Sequence, residues 1–429
     1  MKSSTINSIL KKDLMKIEPG REELEDIQKK LKEFIDAFKA NLKKKKINAE
    51  VFVGGSFAKK TIIKKDHYDI DIFVRFDKKY RGKDISKITK QIFSKNKNVQ
   101  EIHGSRNYFR IKASPSFFME VVPVLKIRSP KEAENITDLS YFHVQYINKK
   151  VKNKKLLDEI RLAKAFCYAN NVYGAESYVS GFSGYGLELL IYHYKNFLNF
   201  IKAMSKIDTK NKTVIDIEKH YKSKNQVLMD VNHAKLASPV ILIDPTHASR
   251  NVLAALSYET FNNFRQAAKD FLRNPSTAAF EIKKMNLEDA KENAKKNKHE
   301  LIILKATTDK QEGDIAGSKL LKFYRHLRDE TGRSFDIKDS GFEYSGKKTA
   351  LYYFAVKNKG EIIKKGPKVK DKDNVRKFRK MHPSAFNKKG RVYAREKIKF
   401  NIKDFLNKWA EKNKRIITDM SVKELRVIG

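Results

Sequence analysis

Residues 51–76 of the 429-residue chain read VFVGGSFAKKTIIKKDHYDIDIFVRF. The spacing predicts a strand over residues 50–53, a tight turn at Gly54-Gly55-Ser56, a short helix over residues 57–63 and a second, largely buried strand over residues 69–76. Because a strand alternates its faces, Asp69 and Asp71 share one side, while Ile70, Ile72 and Val74 share the other and enter a core. Two carboxylates side by side in an apolar strand repel each other and lose hydration, which is costly unless a cation lies between them. A divalent metal is the simplest such cation.

The turn supplies a complementary feature. Gly54 and Gly55 let the backbone approach a ligand closely, the first amides of the following helix are free donors for an anion such as a triphosphate, and Ser56 adds a hydroxyl. A lone Gly-Gly-Ser is more often an ordinary strand-to-helix turn; followed by Asp-x-Asp on a buried strand, it points to a phosphate site. Residues 117–125, FFMEVVPVL, carry one charge, Glu120, on the face shared by Phe118 and Val122. A single acid among uncharged residues is rarely buried without a partner. Beside residues 69–76 it completes a trio of carboxylates, the set that holds two magnesium ions in phosphoryl and nucleotidyl transfer. An edge-strand Glu exposed to water or paired with a lysine is the plainer alternative.

The chain is too long for one compact core. With 92 Lys and Arg against 51 Asp and Glu, its formal net charge of +41 points to a polyanionic partner, although lysine runs such as residues 43–46 also read as plain surface decoration. One cysteine, Cys167, excludes intramolecular disulfides and a cysteine-based zinc site, fits a reducing cytoplasm, and packs at helical spacing from Ile160 and Ala163. No apolar stretch approaches the length that spans a bilayer, and none near the start resembles a signal peptide, so no membrane partner is expected. No long apolar stripe is left over after the cores are assigned, and a homodimer stays open.

In chain order, apolar residues at helical spacing predict an amphipathic helix over residues 21–42 that covers a sheet, then a helix over residues 85–93 and strands over residues 108–113 and 117–125. Residues 156–169, 185–203 and 257–272 read as helices, with the glycine-rich segment at residues 181–186 serving as a hinge or as close packing. Beyond residue 274 the pattern becomes helix 287–296, strand 301–306, helix 319–330 and strand 348–356, a βαβ-like order that suggests a small α+β body. Residues 364–380 then hold nine Lys and Arg in seventeen positions, followed by a strand over residues 393–400 and a helix from residue 402. The expected class is α+β with three domains: residues 1–150 with a mixed sheet, 151–275 mostly helical, and 276–429 an α+β body and tail.

Gly-Ser, a short helix, Asp-x-Asp and a later acid on a strand resemble the nucleotidyltransferase superfamily that includes polymerase beta. The likeness narrows to the archaeal, class I CCA-adding enzymes, the tRNA nucleotidyltransferases. It rests on GGSFAKKTIIKKDHYDIDIFVRF, MEVVPVLKI, TDLSYFHVQYI, DEIRLAKAFCYANNVYGAESYVSGFSGYGLELLI and IDPTHASRNVLAALS, in family order. The resemblance implies that Asp69, Asp71 and Glu120 are catalytic metal ligands for two Mg2+ ions, with Glu120 standing where Asp is usual. It implies nucleotide binding by Gly55, Ser56, Lys59 in place of the usual Arg, Ser140 in place of Thr, His143, Lys164, Tyr173, Arg250 and Asn251. Of these, Arg250 and Asn251 match the pair that reads the base edge, and Asn107 falls where His is common.

Taken singly, these residues have plainer readings. His143 suits a semi-buried histidine, Lys164 a cation snorkelling from a helix, Tyr173 a helix end, and Arg250 a cap. The implied activity is template-independent addition of C, C and A to the 3′ end of tRNA from CTP and ATP, in the cytoplasm, with acceptor-stem and elbow contacts on the basic carboxyl-terminal body. A poly(A) or oligoadenylate polymerase and a non-catalytic RNA-binding homologue are the rivals.

Overall fold

The computed structural model describes residues 2–93, 98–282 and 284–429. It folds as two compact units, Met1–Ile282 and Lys283–Gly429.

The first unit opens with α1 (Lys2–Ile17) and α2 (Arg21–Lys44), followed by β1 (Ala49–Val53), a one-turn α3 (Gly55–Ala58) and β2 (Tyr68–Phe76). After α4 (Ile85–Ile92) come β3 (Val99–Ile102), β4 (Tyr108–Lys112) and β5 (Phe117–Leu125). The five strands form one sheet in the order β1-β2-β5-β4-β3. β2 and β5 run parallel, and the other neighbours are antiparallel, so the sheet is mixed as expected. One face carries Ile70, Ile72, Val74, Met119 and Val121 against Ile27, Leu31 and Phe38 of α2 and Ile85 and Ile92 of α4. That burial anchors the sheet and turns the odd-numbered residues of β2 to the opposite face. There Phe73 packs with Val122 and Val124, beside Phe52 and Tyr108.

The remainder of this unit is mostly helical. It comprises α5 (Ser140–Lys150), α6 (Lys154–Ala169), α7 (Gly184–Tyr194), α8 (Phe197–Ser205), α9 (Lys224–Asp230) and α10 (Tyr258–Arg273). Between α8 and α10 lies a small sheet of β6 (Thr213–Ile215), β7 (Val240–Asp244) and β8 (His247–Asn251), which the sequence reading had not anticipated. Phe166, Phe182, Phe200 and Phe264 centre a core into which α1 also packs through Leu10. Cys167 is fully buried in this core, and its thiol is pushed well above its usual pKa by burial.

Two expectations are corrected in this unit. The helix expected over residues 57–63 is only the four residues of α3, because Lys60 takes a left-handed backbone at φ 57° and residues 61–65 leave helical structure. The helix expected over residues 185–203 is two helices: Lys195 is left-handed at φ 73°, and Asn196 caps α8 by accepting from Asn199 N at 2.7 Å.

The second unit contains α11 (Leu287–Lys296), β9 (Glu300–Thr307), α12 (Asp314–Ser334), β10 (Phe335–Tyr344) and β11 (Thr349–Asn358). Then follow β12 (Glu361–Lys368), α13 (Lys372–Met381), β13 (Phe386–Lys388), β14 (Arg391–Lys397), α14 (Ile402–Lys412), α15 (Lys414–Asp419) and β15 (Glu424–Val427). The larger sheet has the order β10-β11-β9-β15 with antiparallel pairing throughout, so the body is α+β without a parallel βαβ crossover. Leu320, Phe323 and Leu327 of α12 and Leu406 and Trp409 of α14 share its core. The basic run at residues 364–380 falls on β12 and on α13, which buries no residue. β12, β14 and β13 form a separate three-stranded sheet.

Candidate active site

The parallel register pairs Asp71 with Glu120 and Asp69 with Phe118, so all three expected carboxylates lie on one face of β2 and β5. Gly55 holds a left-handed backbone at φ 61° against them: a Cβ there would come 1.8 Å from Asp71 Oδ2. Only glycine leaves this acid its place. Burial, opposed by Lys59 and reinforced by Asp69, pushes Asp71 up to about 6. Burial together with Asp69 and Asp71, opposed by Arg110, pushes Glu120 up to about 8. The acid face is therefore short of positive charge.

Arg110 of β4 pairs with it directly. Its Nη2 donates to Asp69 Oδ1 at 2.5 Å, its Nε lies 3.4 Å from Glu120 Oε1, and its guanidinium lies over the Phe118 ring at 4.2 Å. Among the described residues no group of three or more His, Cys, Asp or Glu is gathered closely enough to hold a metal ion. The donor chemistry nevertheless suits a hard divalent cation: three carboxylates, two of them raised by burial and by neighbouring acids, with one arginine spanning Asp69 and Glu120.

A second cluster is built on α6 and α7. Glu188, with no solvent exposure, accepts from Lys59 Nζ through Oε2 at 2.6 Å. Its Oε1 accepts from Thr61 Oγ1 and from Lys164 Nζ, each at 2.7 Å. Lys164 also donates to Thr61 O at 3.2 Å and Thr61 Oγ1 at 2.7 Å, which engages all three ammonium hydrogens. Burial would raise the Glu188 carboxyl, but Lys164 and Lys59 outweigh it and hold it at about 2. Burial, with Glu188 opposing and Lys59 adding, lowers Lys164 to about 8.

A third cluster centres on Asp244, also without solvent exposure, at the end of β7. Arg250 Nη1 donates to Asp244 Oδ2 at 2.6 Å, His143 Nε2 lies 3.0 Å from the same oxygen, and the Tyr185 hydroxyl donates to Oδ1 at 3.2 Å. Although burial favours the neutral acid, His143 and Arg250 hold Asp244 well below the usual carboxylate range. Burial keeps His143 below its ordinary pKa despite Asp244. The His143 ring stacks on Tyr185 at 4.1 Å, and Lys59 Nζ lies 5.6 Å from the Tyr185 ring, so Tyr185 joins the second and third clusters. Arg250 Nε is buried without a hydrogen-bond partner among the described residues.

The other expected residues are placed as follows. Ser56 lies in α3, and Ser140 begins α5 three residues before His143. Tyr173 bridges Phe182 at the mouth of the glycine-rich loop, and a Cβ on Gly184 would come 2.9 Å from its hydroxyl. Asn251 is 4% exposed; its Oδ1 accepts from Leu242 N and Leu253 N, and its Nδ2 donates to Lys235 O, so its amide ties the end of β8 to β7 and to the turn that precedes β7. Asn107 is tied to Glu101 and His103 at the β3–β4 hairpin.

The sequence reading missed Glu188, Asp244, Tyr185 and Arg110. The signal that singled out Glu120 was present for two of them: Glu188 is the lone acid of GYGLELLIYHY, and Asp244 ends the apolar run VILID.

A family model described as the Second Messenger Oligonucleotide or Dinucleotide Synthetase domain matches residues 4–143, and one described as the tRNA nucleotidyltransferase second domain matches residues 158–281. Over 218 residues the chain is 46% identical to the CCA-adding enzyme of Nanoarchaeum equitans, covering 49% of this chain and 52% of that one, about half its length. Over 403 residues it is 30% identical to the CCA-adding enzyme of Methanocaldococcus jannaschii, covering 91% of this chain and 87% of the other. Among solved structures, one of Cid1, described with its RNA terminal uridylyl transferase activity, superposes with a TM-score of 0.52 at 12% identity over 66% of this chain and 99% of that one, a likeness of fold.

Proposed function

The chain belongs to the CCA-adding enzymes, a family of polymerase-beta-like nucleotidyltransferases, and on that footing we propose that it adds C, C and A in turn to the 3′ end of tRNA from CTP and ATP. The observation that carries the reading is an acid face on β2 and β5 that Arg110 only partly compensates, together with Lys59, whose charge reaches Asp71 and which joins His143 and Arg250 through the Tyr185 ring. Nucleotidyl transfer needs both: acids to hold metal, and donors to hold an anionic nucleotide.

In this reading Asp69, Asp71 and Glu120 hold two magnesium ions, the oxygen donors suiting that ion. Bound there, the ions supply charge neutralisation on the transferred phosphate and pyrophosphate and lower the pKa of the attacking 3′-hydroxyl. Gly55, packed against the Asp71 carboxylate, and the neighbouring Ser56 hydroxyl of α3 hold the triphosphate. Among the described residues Lys59 makes one side-chain hydrogen bond and keeps two donors for phosphate. Arg250, with its unpartnered Nε, faces the base, while His143, Ser140 and Tyr173 bound the sugar and phosphates. Lys164 and Asn251 act from behind, since their polar atoms are spent on the protein. Residues 1–150 carry the chemistry, 151–275 the nucleotide, and 276–429, with the basic α13, the RNA backbone.

The test is extension of three tRNA transcripts, ending before the first C, after the first C and after both, each with CTP or ATP and with or without magnesium. Metal-dependent addition of C, C and A on the respective transcripts is expected. ATP addition to all three would replace the reading by a poly(A)-type polymerase, and tight binding without addition by an RNA-binding homologue.

A further inference from the structure

Glu188 is a carboxylate buried completely inside a helix that is otherwise apolar on its buried side, and both its oxygens are occupied by the segment that follows α3. Lys59 and Thr61 belong to that segment, and the left-handed Lys60 between them turns the chain so that both side chains meet the same acid. Lys164 completes the arrangement from α6 and has no donor left over. Two ammonium groups therefore face one carboxylate, and the surplus positive charge resides on Lys59, whose one hydrogen-bond partner among the described residues is Glu188. Such a surplus is costly in a buried setting; the Asp71 carboxylate, which feels the Lys59 charge, offsets part of it, and a bound anion completes the pairing.

A lysine on a flexible stem would ordinarily sweep a wide volume. Here one bond at 2.6 Å and the Tyr185 ring at 5.6 Å restrict it, while Asp71 lies close enough to feel its charge. We propose that Glu188 is a positioning residue, which sets the Lys59 ammonium in place for the triphosphate of the incoming nucleotide. The proposal rests on the nucleotidyl-transfer reading and deepens it. Glu188 touches no substrate; it acts through Lys59, with Lys164 and Thr61 holding the carboxylate in its orientation.

The experiment measures binding of inorganic triphosphate in magnesium to the full-length chain, then KM and kcat for CTP on the transcript ending before the first C. The proteins are the wild type, Glu188→Gln, Lys59→Met and the double variant. Glu188→Gln keeps size and hydrogen-bonding capacity but loses the charge. It is expected to weaken triphosphate binding and raise KM on the order of 10- to 100-fold, the usual cost of losing an orienting partner of a ligand-binding group. The double variant should be no weaker than Lys59→Met alone, because Glu188 has nothing left to position. Wild-type affinity in Glu188→Gln, or losses that multiply in the double variant, would overturn the proposal.

Should Glu188→Gln fail to fold, Lys59→Met and Glu188→Asp decide. Unchanged triphosphate affinity in Lys59→Met, or in Glu188→Asp no recovery of binding over Lys59→Met, counts against it. Triphosphate binding by a wild type that fails to add CTP would sink the proposed function and leave this inference standing.

Discussion

On β2 and β5, three carboxylates share a face with one guanidinium, and burial pushes Asp71 up to about 6 and Glu120 up to about 8. On α7 and β7, Glu188 and Asp244 are more deeply buried, yet each is held low, Glu188 at about 2, because every oxygen meets a cation or a hydroxyl. Burial raises all four acids; the neighbours decide the outcome. An acid held high marks a place where charge is still to arrive, whereas an acid held low has completed its pairing and acts as structure.

The contrast is broken most directly at Asp71. Asp71→Asn should cut nucleotide addition by roughly 10³-fold or more, the scale of losing a preorganised electrostatic group, while leaving the metal-free melting midpoint unchanged or higher. A variant that kept substantial turnover would remove Asp71 from the chemistry. The equivalent change on the paired side, Asp244→Asn, should do the reverse in kind. It leaves Arg250 without its counter-charge and should destabilise the fold by about 3 kcal/mol, read by denaturant unfolding, with a smaller, ~10-fold loss in kcat/KM.

The pH dependence separates the two sets further. Asp71 and Glu120 have folded pKa values above their ordinary 3.8 and 4.5, so their contribution favours the fold at acid pH and is lost as pH rises through about 6 and about 8. Glu188 is depressed, so its contribution is present above its ordinary 4.5 and is lost only as pH falls towards about 2. Without magnesium, the melting midpoint of the wild type should therefore fall relative to an Asp71→Asn, Glu120→Gln double variant between about pH 5 and about pH 8. Parallel curves would show that the two acids are not held above their ordinary pKa values in the fold. The smallest effect belongs to Arg110→Gln. Removing the half-exposed guanidinium that spans Asp69 and Glu120 should tighten manganese binding about 3- to 5-fold in a direct titration, the worth of an exposed ion pair. Weaker binding would instead make Arg110 part of the site.

The shared face of Asp69 and Asp71 was legible because strand alternation is strict, whereas Glu120 joined them only on the condition that its strand lay beside theirs, a pairing that the parallel register of β2 and β5 supplies. The paired acids carried an equal signal and were passed over, since a helix has no alternation to make a lone Glu188 stand out. The break between α7 and α8 was not legible, because lysine has no preference for the left-handed backbone that Lys195 adopts. β10 escaped notice for a different reason: FDIKDSGFEY mixes acids and glycine into the strand, and it is paired on only one edge. Asn251 shows the limit of reading roles from a motif, as its amide is consumed by Leu242 of β7, Leu253 and Lys235.

The burial of Cys167 has a practical side. Its thiol is fully buried in the apolar core and held well above its usual pKa, so the thiolate that alkylating dyes require is scarce and out of reach. The unmodified chain thus behaves as a cysteine-free background for probe chemistry. A thiol introduced on an exposed position would therefore take a fluorophore cleanly.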